Sequence, residues 1–236
     1  MNRSLVLTPL LLATIAGTSS FAGPGQDPEP KFTDRFLVDS RDWASSGSTT
    51  YMILEPGWQL VLEGKEKGKA GKLTITVLAE TKTIDGVETR VIEERETEDD
   101  ELVEISRNYF AISKKTSSIY YFGEDVDMYK NGKVEGHEGS WHSGEGGARF
   151  GLMMPGTPLL GSRYHQEVAP GSAMDRAQIV SLEDKIETPA GKFVDCLDVE
   201  ETTPLEKGEK AHKIFAPGIG LVREGHLKLA KYGKIK

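Results

Sequence analysis

Three histidines and three glutamates lie close enough in the sequence to raise a metal site: His137, His142 and His165, with Glu135, Glu138 and Glu145 among them. A zinc-like ion would need at least three such donors converging on one point. On an extended strand His137 shares a face with Glu135 and Trp141, whereas His142 shares the opposite face with Glu138 and Ser140. The chain has no His-Glu-x-x-His helix and no Cys-x-x-Cys pair. Asp125, Asp127, Asn131 and Gly132 miss the spacing of a calcium loop, because Tyr129 and Lys130 stand where a ligand and a glycine belong. The expectation is no metal and no cofactor.

Carboxylates are denser still. Glu93, Glu94, Glu96, Glu98, Asp99, Asp100 and Glu101 fall within nine positions, enough to suggest calcium binding or paired acid and base. They coincide with a predicted hairpin tip that offers no apolar side chain to desolvate them, so a solvated loop is the reading. Lys65, Lys67, Lys69 and Lys72 form a loop of opposite sign on the preceding hairpin. Nucleophile motifs are missing. There is no Gly-x-Ser-x-Gly elbow, neither Ser143 nor Cys196 has an assignable base and orienting acid, and Gly144, Gly146 and Gly147 lack the strand-to-helix context of a phosphate loop. No catalytic residue is assigned, and the chain reads as a non-enzyme.

What remains is a patch of aromatic and methionine residues: Trp58, Tyr121, Trp141, Met153, Met154 and Tyr164, with Tyr120, Phe122 and Phe150 nearby in sequence. Two adjacent methionines in the Pro/Gly-rich stretch 144–158 suit an apolar groove that adapts to its ligand, under a segment able to move without breaking ladder hydrogen bonds. The first six are the candidate ligand-binding residues.

The elements that must position these groups are strands. From Trp58 onward, short runs rich in Val, Ile, Thr and Tyr alternate with turn pairs, as in an antiparallel meander. The runs are 59–63, 72–80, 87–96, 102–112, 118–122, 125–130, 133–141, 164–168, 177–186, 193–202, 211–216 and 221–229. Asp85-Gly86 and Asn131-Gly132 are type I′ hairpin signals, and Pro-Gly pairs at 56, 155, 170 and 217 reverse the chain elsewhere. Many short strands with one apolar face must curl to bury it. The fold class is therefore all-β with low helix content: a curled antiparallel sheet forming an incomplete barrel, with the irregular Gly/Met/Pro segment 144–158 over its open side.

Residues 1–22 carry the marks of a signal peptide: Arg3, an apolar run over 5–16 and a small-x-small site at Ser20-Phe21-Ala22. Residues 23–31 read as a Pro/Gly linker and 32–236 as one β-rich domain. Export to the periplasm or medium is expected, with no membrane span, since no later run is apolar enough. The 29 basic against 37 acidic residues, net charge −8, disfavour nucleic acid as a partner. The only cysteine, Cys196, lies in a strand-like run and is expected to be buried and inert.

Taken together, Tyr120-Tyr121-Phe122-Gly123-Glu124, Met153-Met154-Pro155-Gly156-Thr157-Pro158, Thr188-Pro189-Ala190-Gly191-Lys192-Phe193 and Phe215-Ala216-Pro217-Gly218-Ile219-Gly220 resemble a family of exported bacterial β-rich proteins to which no activity is attached. The similarity spans about residues 58–224. More distantly, the meander and its Ala-Pro-Gly-x-Gly ending are similar to the incomplete barrels of periplasmic lipoprotein carriers and acceptors. That likeness implies a binding module for an apolar or amphipathic envelope molecule. The alternative is a structural or protein-interaction module of the envelope with no small-molecule ligand.

Overall fold

Period-two alternation along most of the chain has one outcome in the computed structural model, which describes residues 31–235: every regular element is a strand. Residues 1–22, which read as a signal peptide in the sequence, and residues 23–30 of the expected linker lie outside the described residues. The strands are β1 (Trp43–Ala44), β2 (Trp58–Glu66), β3 (Lys69–Ile84), β4 (Val87–Glu98), β5 (Glu101–Ser113), β6 (Ile119–Lys130), β7 (Lys133–Gly136) and β8 (Trp141–His142). They continue as β9 (Arg149–Met154), β10 (Arg163–His165), β11 (Glu167–Val168), β12 (Arg176–Thr188), β13 (Gly191–Thr203), β14 (Glu206–Ala216), β15 (Gly220–Glu224) and β16 (Leu227–Lys234). No helix among the described residues is long and apolar enough to cross a membrane.

Thirteen strands pair antiparallel in one path, β10-β12-β13-β14-β15-β16-β2-β3-β4-β5-β6-β9-β11. The step that curls the sheet is β16 on β2, which joins the end of the chain to its first long strand, Leu229 opposite Leu62. The two ends of the path, β10 and β11, are separated in the chain only by Gln166, so the sheet is nearly closed into a barrel with one unsealed seam. Across that seam the backbone N–H groups of Gln166 and Glu167 donate to Asp175 O at 2.8 and 3.4 Å. The free side of β10 is bridged by Thr33, whose N–H donates to Arg163 O and whose carbonyl accepts from His165 N.

Turn chemistry sets the registers. Asp85 and Gly86 (φ 51° and 74°), Asp99 and Asp100 (49° and 66°) and Asn131 and Gly132 (51° and 73°) all take the left-handed pairs that a type I′ turn demands. Gly123 marks a register shift within β6: its φ is 142°, and a Cβ there would lie 2.3 Å from Trp141 O. That bulge fuses two runs, 118–122 and 125–130, that read as separate strands in the sequence. The stretch 144–158 runs beside the seam, and its middle is regular. Met153 and Met154 end ladder strand β9, with Met154 opposite Ile119.

The inner face carries two layers. Towards the end that holds the β5–β6 and β14–β15 turns it is apolar: Val77, Ile92, Phe110, Ile112, Ile119, Leu197, Val199 and Phe215 are buried together, and Leu62, Leu73 and Leu229 continue the cluster on β2, β3 and β16 in register with Glu96. Full burial of each large side chain stabilises by about 2–3 kcal/mol. Residues 47–57 close this end through Leu54, which is fully buried, and Tyr51, whose hydroxyl donates to Asp195 O at 3.0 Å. A smaller cluster sits on the outer face of β4, β5 and β6, where Trp43 packs edge-on to Tyr120, Phe122 and Phe150 at 5.2, 5.2 and 5.7 Å.

Cys196 is buried, as expected, although simple strand parity does not account for it. Asp195 takes a left-handed φ of 53°, so Cys196 and Leu197 both turn inward while Val194 is exposed. Burial, then Asp184 and Asp195, push the thiol up to about 11.

Candidate functional site

The second inner layer is acidic. On β4, Glu94 and Glu96 follow the inward parity of Ile92. On β5, Glu104, Ser106 and Asn108 follow that of Phe110 and Ile112. Register sets Glu94 opposite Ser106, Glu96 opposite Glu104 and Asn108 opposite Glu124 of β6. From the far side of the barrel come Glu201 of β13 and Lys213 of β14, and the seam contributes Gln166, Glu167 and Asp175. They surround a cavity of about 60 Å³, enough for a few waters. Phe110, Tyr121 and Met153 form its apolar wall.

Seven carboxyl side chains thus line the cavity with one cationic residue. Lys213 Nζ lies 3.1 Å from Glu201 and 3.2 Å from Glu224, which is its register partner on β15. Burial works against its ammonium, but Glu201, Glu224 and Glu94 outweigh that and hold its pKa well above the usual lysine value. One ammonium cannot neutralise so many carboxylates in a poorly hydrated space. Burial first, then the negative charge of Glu224, pushes Glu94 up to about 8 despite Lys213. Glu96 and Glu167 are held well above the carboxylate range by burial, reinforced by Glu104 for the first and Asp175 for the second. Glu224 is raised as well, again mainly by burial. Glu94, pushed up to about 8, thus favours its protonated form at neutral pH.

Among the described residues of this wall, two buried oxygens accept no hydrogen bond: Glu201 Oε2, which is ion-paired with Lys213 at 3.1 Å, and Gln166 Oε1. Gln166 is 4% exposed; its Nε2 donates to Glu201 Oε1 at 2.8 Å, while its Oε1 has no partner. It is held there by the close approach of β9, where a Cβ on Gly151 would sit 2.3 Å from the Gln166 carbonyl oxygen.

Of the residues singled out from the sequence, Tyr121 and Met153 line the cavity. Tyr121 stacks on Phe110 at 4.6 Å and donates its hydroxyl to Asn108 Oδ1. Trp141 is buried behind Tyr121, ring to ring at 5.4 Å, with its Nε1 unpartnered. Met154 (1% exposed) and Tyr164 are packed in the inner core. Trp58 stands apart at the start of β2, half-buried, donating its indole N–H to Ile219 O at 3.0 Å.

The acidic run needs correction: only Asp99 and Asp100 form a turn, and Glu94 and Glu96 face the barrel interior. Also missed were Glu104, Glu124, Gln166, Glu167, Asp175, Glu201 and Lys213. Their signal was polar residues continuing the parity of a buried apolar run, as in Ile92-x-Glu94-x-Glu96 and Val199-x-Glu201.

The histidines do not converge. His137 Nδ1 lies 2.9 Å from both Val126 O and Asp127 Oδ1, and His142 Nε2 lies 2.8 Å from Asp125 Oδ1 on the outer face. Asp125 also accepts from Lys82 at 2.8 Å and Tyr109 at 2.5 Å. Partial burial of its carboxyl is outweighed by these donors, which hold its pKa low. His165 lies at the seam beside Phe32. Among the described residues no group of three or more His, Cys, Asp or Glu side chains is placed to hold a metal ion. Ser143 Oγ donates to Asp85 Oδ2 at 2.9 Å and accepts from Phe150 N at 3.0 Å, contacts that brace the loop after β8. No family model, curated protein or solved structure matches the chain.

Proposed function

We propose that the protein is an exported, non-enzymatic binding module of the cell envelope that takes a small amphipathic molecule into the barrel interior. The observation that carries this reading is the cavity between Glu94, Glu104, Tyr121 and Gln166: a polar hole with an apolar wall, placed where an unsealed seam borders it. A domain built only for stability gains nothing from a buried carboxyl layer, since an apolar core of equal volume would be at least as stable. The position also favours access, because Gln166, Glu167 and Asp175 are joined across the seam by two backbone hydrogen bonds and not by a continuous ladder. The aromatic and methionine groups then serve in two ways. Tyr121 and Met153 offer contact surface, while Trp141, Met154 and Tyr164 hold the wall in shape.

Native mass spectrometry of protein purified from its own host tests the reading. The expected result is a bound small molecule at one per chain, released on denaturation and lost from a cavity-filling Ser106→Phe variant that keeps its β-sheet circular dichroism. Wild-type protein that carries no adduct, and whose tryptophan fluorescence no amphipathic probe alters, would leave the envelope-interaction alternative in its place.

A further inference from the structure

We propose that the outer face of β15, β16, β2, β3 and β4 is a docking surface for an anionic lipid bilayer, which the chain touches peripherally through lysine and arginine side chains, with Trp58, Tyr232 and Ile235 at the rim. This face is on the opposite side of the sheet from the cavity, so it stands whether or not the cavity takes a ligand.

Three observations converge. The first is register. Arg223, Lys228, Glu63 and Lys72 lie side by side in one row across β15, β16, β2 and β3, and Lys231, Val61, Thr74 and Arg95 form the next row across β16, β2, β3 and β4. Their parity is opposite to that of the inward Leu62, Leu73, Glu94 and Leu227, so both rows face out, and Lys65 continues the parity of Glu63. Lys65, Lys72, Arg95, Lys228 and Lys231 are all exposed, and none makes an ion pair among the described residues. The acids on this face are Glu63 and Glu93, and Arg107 already holds Glu93 at 3.1 Å. In a chain of net charge −8 this is a segregation of charge that composition does not supply. The second observation is extent. Neighbouring strands lie about 4.8 Å apart, so five strands spread these cations over about 20 Å, a match for many head groups and not for one small anion. Acidic groups elsewhere on the chain are screened beyond about 8 Å at physiological salt, so the face acts by its local sign. The third is the rim. Where β16 ends and β2 begins, Tyr232 and Ile235 are 42% and 47% exposed, and Trp58 lies ring to ring with Tyr232 at 6.3 Å, in register with Lys234. Aromatic and apolar side chains beside lysines suit the head-group layer of a bilayer, whereas a soluble polyanion gains nothing from them.

Co-sedimentation with lipid vesicles reads the proposal. The protein should bind vesicles of equal parts phosphatidylglycerol and phosphatidylcholine at about 0.1 M salt, leave them at about 0.5 M salt, and ignore pure phosphatidylcholine. Each cation close to an anionic surface is worth about fivefold in partitioning, so Lys228→Gln together with Lys231→Gln should lower binding by about tenfold or more. Lys130→Gln together with Lys133→Gln, at the β6–β7 turn, changes the net charge equally and should leave binding unchanged. Tyr232→Ser should weaken vesicle binding by about threefold or more. All of these side chains are exposed, and β-sheet circular dichroism confirms that each variant folds.

Equal binding to pure phosphatidylcholine would overturn the charge argument, and an equal loss in the two double variants would overturn the choice of this face. Binding to soluble poly-L-glutamate without binding to the anionic vesicles would replace the bilayer by a soluble polyanion. No binding to anionic vesicles at low salt would overturn the proposal and leave the cavity reading untouched.

Discussion

Replacing Glu94 by glutamine should make the protein more stable at neutral and alkaline pH and leave it unchanged in mild acid. Glu94 titrates near 8 in the folded chain against an ordinary value of 4.5, so folding favours its protonated form. A carboxyl raised in this way contributes stability that is fully present below its unfolded value and is lost as pH rises towards its folded value. At pH 7 the full shift would correspond to about 3 kcal/mol of stability given up relative to pH 4; water in the cavity screens part of it, leaving about 1–3 kcal/mol. Glutamine keeps the shape and an N–H donor but never ionises. In a domain of this size the gain is about 3–10 °C in melting temperature at pH 7 to 8, with about no difference near pH 4.5. Denaturant unfolding of both proteins across this range is the assay. A variant that is destabilised equally at both ends would refute the reasoning, because Glu94 would then be acting as an ionised partner of Lys213.

For the wild type, Glu96, Glu167 and Glu224 are raised with Glu94, so stability should fall steadily from about pH 5 to 8; the depressed His165, lost in the other direction below its ordinary value of 6.5, only blunts the slope. A flat or rising profile by denaturant titration would contradict the buried carboxyl layer. Cys196 is fully buried with its thiol pushed up to about 11, and native protein should resist a thiol reagent that labels it at once in denaturant. Met154→Gln should cost about 3 kcal/mol or more by equilibrium unfolding, because the site is packed against the inner core and offers an amide no partner. Gly123→Ala should cost about 2–4 kcal/mol, since its Cβ meets the Trp141 carbonyl at 2.3 Å, and a neutral result would mean that the bulge in β6 is absent.

Strands and hairpins are local matters, and the sequence makes them legible. Asp85-Gly86 and Asn131-Gly132 declare their turns by residue type alone, and the alternation of Leu73, Ile75 and Val77 declares a half-buried strand. The curl follows from the number of such strands. Sequence reasoning stops at the bulges and at long-range pairing. Asp195 and Gly123 each shift parity by one residue, which changes the face of everything beyond them. The candidate site lies beyond that horizon. Glu94 and Glu96 read as part of a solvated acidic tip because their desolvating neighbours, Glu201, Lys213 and Gln166, come from strands and a seam seventy or more residues away. A stricter parity count from Ile92 and Phe110 would have turned both carboxylates inward, but the pairing of β14 with β13 and β15 that sets Lys213 opposite them has no local signal. Of the aromatic and methionine patch, proximity to the cavity was legible for Tyr121 and Met153. The rest of that patch illustrates that methionine and tryptophan in a Pro/Gly-rich stretch also fill cores.

A crystal structure of the protein purified from its own host tests the central claim most directly. The account predicts ligand density inside the barrel, in the cavity bordered by Glu94, Glu104, Tyr121 and Gln166 and against its apolar wall of Phe110, Tyr121 and Met153. Ligand density on the outer face, around the exposed Leu159 and Leu160, with ordered water alone in the cavity, would contradict it.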